Sequence, residues 1–168
     1  MIRDKVLLLI KISKKNNLNI SVAESCTGGL LSSSIIEIPG ASDIFNSGFI
    51  TYSNIAKIKH LGVNKDIVKK FGAVSNETSL AMAKGLYKIS KSNLIVSITG
   101  VAGPGGGTLK NPVGTVYFTF GVRQNKKTIS YSTFRHYFKS KNRVGIQKKS
   151  VNYVLDKFIE IAMTYKLG

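Results

Sequence analysis

The chain has 168 residues, 43% of them hydrophobic, with 25 Lys and Arg against 8 Asp and Glu and a formal charge of +17. That apolar mass excludes a disordered chain, and the length suits one domain, 1–168, able to bury roughly 70% of its unfolded surface. The single cysteine, Cys26, excludes a disulfide framework, and no apolar run reaches the ~18 to 20 residues of a membrane span, so a cytoplasmic protein is expected.

The N-terminal apolar positions Val6, Leu9, Ile10 and Ile12 recur at helical spacing and predict a helix over 4–15. The same run is too short for a signal-peptide core. A strand is expected over 19–23, with Ile20 and Val22 on one face, then a helix over 28–37 stopped by Pro39-Gly40. Residues 48–52 read as a strand and 55–61 as a short helix closed by Gly62. Ser75 is the expected N-cap of a helix reaching 91, with Glu77 in its first turn complementing the dipole. Residues 94–99 are the strongest candidate for a buried strand. Two strands follow over 113–122 and 127–138, pairing as a hairpin. A last helix over 142–165 carries the apolar stripe Val151, Val154, Leu155, Phe158, Ile159 and Ala162. Helices alternating with strands before a hairpin predict a layered α/β fold with a mixed sheet.

The positive charge invites a nucleic-acid reading. Nucleic-acid binders concentrate Lys and Arg on one face, often among aromatics, whereas here lysines run from Lys5 to Lys166, densest over 125–127 and 135–149. Specific nucleic-acid binding is therefore not expected. Attraction of a small anionic substrate is a more modest use of the same field.

Three segments carry chemistry-bearing residues. Ala23-Glu24-Ser25-Cys26-Thr27-Gly28-Gly29 takes a strand through a glycine turn into a helix. A hydroxyl there stands at the strand end, close to the helix's unpaired amides. Ser25 or Thr27 could equally cap the helix. In 49–57, Lys57 lies one turn past Ser53; burial would lower its pKa from about 10.4 and make it a base. A solvated lysine fits the periodicity too. The third, 99–108, places five glycines where backbone amides could approach a ligand or form a hairpin loop. Gly106 stands where a Walker loop needs Lys, and no helix follows for a dinucleotide fingerprint. His60 and His136 are isolated, and eight acids are scattered, so neither a histidine triad nor a metal cage is indicated. That shortage favours serine–lysine chemistry.

Taken together, Ala-Glu-Ser-Cys-Thr-Gly-Gly at 23–29, Gly-Phe-Ile-Thr-Tyr-Ser-Asn-x-Ala-Lys at 48–57, Gly-Ala-Val-Ser at 72–75 and the glycine loop with Pro-Val-Gly-Thr-Val at 112–116 resemble the CinA C-terminal domain family. Its stand-alone members look like nicotinamide-nucleotide amidases. The resemblance implies a three-layer α/β/α sandwich and hydrolysis of the carboxamide of nicotinamide mononucleotide to nicotinate mononucleotide and ammonia, with no cofactor or metal. It implies Ser25 as nucleophile, Lys57 as base and Tyr52 as proton relay or orienter of Lys57. Amides near Thr27 and Gly28 are the expected anion site. Thr99, Gly100, Gly103 and Gly105 would shape the substrate pocket, Phe45 would pack on the pyridine ring, and Arg143 would contact phosphate. Longer members add an N-terminal domain associated with ADP-ribose pyrophosphatase activity; with Met1 just ahead of the first helix, that activity is not expected here. A homo-oligomer, with a dimer as the simplest case, is anticipated. The alternative is a non-catalytic nucleotide-binding or regulatory module of the same fold. Two departures stand out: Lys141-Asn142-Arg143 where Gly-Asp-Arg is common, and Asn46-Ser47 where an acid and a basic or small residue are usual.

Overall fold

A computed structural model describes residues 1–125, 128–140 and 142–165. The chain runs α1 (Ile2–Lys15), β1 (Ile20–Glu24), α2 (Leu30–Ile36), a 3-10 turn (Ala41–Asp43), β2 (Phe45–Ile50) and α3 (Asn54–Leu61). It continues through α4 (Lys65–Phe71), α5 (Asn76–Ser90), β3 (Leu94–Gly100), β4 (Thr115–Arg123), β5 (Ile129–Tyr137) and α6 (Arg143–Thr164). The five strands form one mixed sheet in the order β2-β1-β3-β4-β5. β1 is parallel to both β2 and β3, while β3–β4 and β4–β5 are antiparallel.

The sheet is covered on both faces, as the near-continuous burial of β1, β3 and β4 requires. On one face α1, α2 and α6 pack through Leu9, Leu31, Val154 and Phe158 against Val22, Val96 and Phe118. On the other, α3, α4 and α5 contribute Leu61, Val68, Met82 and Leu86 against Ala23 and Ile95. Two cores separated by a sheet give the expected α/β/α layering.

Three local differences from the sequence-based expectation have clear causes. Helix α4 was not anticipated: its seven residues sit between Gly62 and Gly72, both at positive φ, and are too few to display a period. β2 begins at Phe45 rather than 48, because tertiary partners satisfy its polar start. Ser47 Oγ meets Ser21 Oγ at 2.9 Å and Asn46 donates to the Ser90 carbonyl at 3.2 Å. α2 begins at Leu30 rather than 28 because Gly28 and Gly29 adopt φ of +62° and +93°, outside the helical region. Of the basic patch expected over 125–127, Lys126 and Lys127 lie outside the described residues, as does Lys141.

Candidate active site

β1, β2 and β3 are parallel and finish at one edge of the sheet, where crevices form in open α/β sheets. Ser25 directly follows β1, Thr51 and Tyr52 follow β2, and the glycine loop follows β3. Ser53 caps α3, its Oγ accepting the Ala56 amide at 3.0 Å. That cap fixes where the helix starts, and Lys57, in its first turn, reaches back beneath the end of β2.

Lys57 is 1% exposed. Its Nζ lies 3.0 Å from Ser25 Oγ, 2.9 Å from the Thr51 carbonyl and 3.3 Å from the Tyr52 carbonyl. Among the described residues no carboxylate lies within ion-pair distance of it. Burial therefore pulls its pKa below the ordinary lysine value and outweighs the opposing effect of the neighbouring Cys26. The three partners suit either protonation state: two are carbonyls, which only accept, and the third is a hydroxyl, which accepts from an N–H or donates to a lone pair. A neutral amine has two N–H groups for the carbonyls and one lone pair for the hydroxyl proton, and the ammonium formed on proton transfer donates to all three oxygens.

These groups open onto a cavity of about 290 Å³. Ser25, Tyr52 and Lys57 line it, as do Thr99, Gly100, Gly103 and Gly105 of the β3 end and its loop, and Arg143 at the start of α6. Thr99 Oγ1 donates to the Ala73 carbonyl at 2.7 Å, tying β3 to the segment before α5. Gly100 lets β3 and β4 approach closely: a Cβ there would meet the Thr115 carbonyl oxygen at 2.6 Å. Gly103 has φ +78° and would bring a Cβ within 2.5 Å of Val113 Cγ1. Arg143 spans the mouth, donating to the Gly103 carbonyl at 2.9 Å and to Tyr52 Oη at 3.0 Å. Asn142 caps α6 by accepting the Gly145 amide at 2.8 Å.

Other sequence-based expectations meet a different arrangement. Tyr52 is 62% exposed and its hydroxyl pairs with Arg143; what reaches Lys57 is its backbone carbonyl. Around the expected anion site of Thr27 and Gly28 most amides are committed elsewhere, while the Thr27 amide donates to no acceptor among the described residues. Gly28 donates to the Ser25 carbonyl, Leu30 to the Thr27 carbonyl, and Gly29, Leu31 and Ser32 to the Glu24 carboxylate. Neither Ser25 nor Thr27 caps α2, and Thr27 Oγ1 is buried without a partner. Phe45 stands at the opposite end of β2, paired with Ile20 and lining a separate apolar hollow, so the structure does not bring it to this cavity. His60 is exposed, and His136 packs among Phe118, Phe138 and Tyr153.

Sequence reasoning gave no site role to four residues that contribute. Ala73 and Val74, within the Gly-Ala-Val-Ser motif, line the cavity from the segment before α5, and as small residues they carried no chemical signal. Gln147 of α6 donates to the Cys26 carbonyl at 2.9 Å, holding the turn after Ser25. Glu24 was legible as an acid in a strand otherwise free of charge. Cys26, beside Ser25, is a poor competitor as nucleophile, since burial pushes its thiol up to about 12. Among the described residues no three His, Cys, Asp or Glu side chains gather as a metal set.

The model of the CinA C-terminal domain matches residues 4–162. The chain belongs to the CinA C-terminal domain family. A putative competence-damage inducible protein of Clostridium acetobutylicum is 46% identical over 153 residues, covering 91% of this chain and 35% of that protein. One from Clostridioides difficile is 53% identical over 119 residues, 71% of this chain and 28% of its own length. The chain thus spans about a third of these curated relatives. Among solved structures, competence/damage inducible protein CihA from Agrobacterium tumefaciens superposes with a TM-score of 0.89 at 35% identity, covering 95% of this chain and 94% of that one. A CinA superfamily protein from Klebsiella pneumoniae, at 23% identity, has the same fold with a TM-score of 0.90 over 98% of this chain and 99% of its own.

Proposed function

We propose that this CinA-family domain is a nicotinamide-nucleotide amidase using Ser25 and Lys57. The observation that carries the reading is a lysine amine 1% exposed, 3.0 Å from a serine hydroxyl at the floor of a cavity, with its remaining hydrogen-bonding capacity taken by two carbonyls. Ser25 Oγ attacks the carboxamide carbon while its proton passes to Lys57 Nζ. The tetrahedral intermediate collapses, the C–N bond breaks, and the Lys57 ammonium returns that proton to the leaving nitrogen, releasing ammonia. Water, deprotonated by Lys57, then attacks the Ser25 ester; the carboxylate product leaves and Ser25 regains its proton. An oxyanion of this kind needs fixed donors. The amides of Ala102 and Gly103, which donate to no acceptor among the described residues, are available in the cavity wall. Arg143 and the overall charge of +17 suit a phosphate-bearing substrate.

The test is incubation with nicotinamide mononucleotide and mass detection of nicotinate mononucleotide. Wild-type protein is expected to form product and an acyl adduct on Ser25, and Ser25→Ala neither. Saturable binding without product would transfer the site to the nucleotide-binding reading.

A further inference from the structure

Glu24 is fully buried at the last position of β1, one residue before Ser25, and the chemistry above leaves it without a role. Its carboxylate accepts four hydrogen bonds. Oε2 takes the amides of Gly29 and Leu31, both at 3.1 Å, and Oε1 takes the Ser32 amide at 2.8 Å and the Ser32 hydroxyl at 2.7 Å. Among the described residues no cation lies within ion-pair distance of it. The first turn of α2 alone compensates the buried charge.

The location gives this clamp a consequence for the nucleophile. Alternation along β1 sends Glu24 to the α2 face and Ser25 to the opposite one, where Lys57 waits. Between them and α2 lies a turn containing Gly28 and Gly29, whose φ of +62° and +93° only glycine adopts freely. Two glycines give that turn many alternative paths. Glu24 closes it from below by binding α2, and Gln147 pins it from α6 at the Cys26 carbonyl.

We propose that Glu24 is a positioning residue: by locking the start of α2 to the end of β1, it holds Ser25 Oγ at attack distance from Lys57 Nζ. This rests on the Ser25–Lys57 reading. Glu24 touches neither substrate nor Lys57; it sets where the hydroxyl stands.

The test uses Glu24→Gln, which turns one acceptor oxygen into a donor facing amide donors, and Ser32→Ala, which removes one of the four bonds. Each is measured by kcat and KM with nicotinamide mononucleotide, by the pH profile, and by the rate at which a serine-directed fluorophosphonate labels Ser25. Glu24→Gln is expected to lower kcat and labelling together by about 30- to 100-fold, the scale of a misplaced reacting group. KM should stay within about threefold, and the pH midpoint should not move, since Lys57 keeps its carbonyl partners. Ser32→Ala should lose about 3- to 10-fold, the scale of one hydrogen bond of ordinary strength, since the other three bonds to the carboxylate remain. Unchanged labelling in folded Glu24→Gln, a change in KM alone, or a displaced pH midpoint would overturn the proposal. If Glu24→Gln fails to fold, Ser32→Ala decides, and wild-type labelling in a folded Ser32→Ala protein overturns the proposal. Lys57-dependent labelling without nucleotide turnover would sink the amidase assignment while leaving the Glu24 comparison readable. No labelling of the wild type would overturn both.

Discussion

Lys57→Met exchanges the amine for an apolar chain of similar length, leaving Ser25 Oγ without a base at 3.0 Å. General-base catalysis contributes about 10²- to 10⁴-fold, so kcat/KM should fall by about that much, equivalent to about 3 to 5 kcal/mol on the barrier. The pH dependence makes the test specific to proton transfer. A lysine of ordinary pKa, about 10.4, is neutral in only about one molecule in a thousand at pH 7.4, and each unit of lowering raises that fraction about tenfold. Burial with no carboxylate alongside lowers the Lys57 pKa. Wild-type log(kcat/KM) should therefore rise with unit slope and level off at a midpoint below 10.4, and residual Lys57→Met activity should lack that limb. The assay is product formation from nicotinamide mononucleotide between pH 5.5 and 10 at fixed ionic strength. Activity in Lys57→Met within tenfold of wild type, or a wild-type limb centred near 10.4, would refute the neutral-amine argument.

Tyr52→Phe removes the hydroxyl that pairs with Arg143 but keeps the carbonyl that accepts from Lys57. It should raise KM several-fold, on the scale of one hydrogen bond, with the pH midpoint unmoved; a shifted midpoint would reinstate the hydroxyl as a proton relay. Stability should register the same buried amine. Because the folded pKa of Lys57 lies below its unfolded value, the unfolded chain binds more protons between the two, and stability rises with pH across that window. The unfolding free energy of wild type minus that of Lys57→Met, from denaturant titration at several pH values, should increase towards pH 10.4; a flat difference would mean that Lys57 titrates alike in both states.

Much of the fold was legible because local physics agreed with the tertiary outcome. Ser75 caps α5 as the sequence indicated, accepting the Thr78 amide at 3.2 Å, and Gly62 closes α3 at φ +63°. The apolar run of β3 is buried through six consecutive residues. Side chains whose role depends on a distant partner were harder to read. By periodicity Lys57 is indistinguishable from a solvated lysine, Phe45 belongs to a hollow at the other end of β2, and the amides of Gly29, Leu31 and Ser32 are held by the Glu24 carboxylate, which only the folded chain places there.

Periodicity, capping residues and glycine punctuation determine the strands, the layering and every helix but the seven-residue α4, since those signals act between residues a few positions apart. The motif residues also singled out Ser25, Lys57 and the glycine loop. Only the folded sheet decided that three strands ending at Glu24, Ile50 and Gly100 finish at one edge, that a lysine amine is buried at the cavity they form, and that an adjacent carboxylate faces away from it. Protonation and reach are properties of an environment, and that environment exists only after β1, β2 and β3 have been laid side by side.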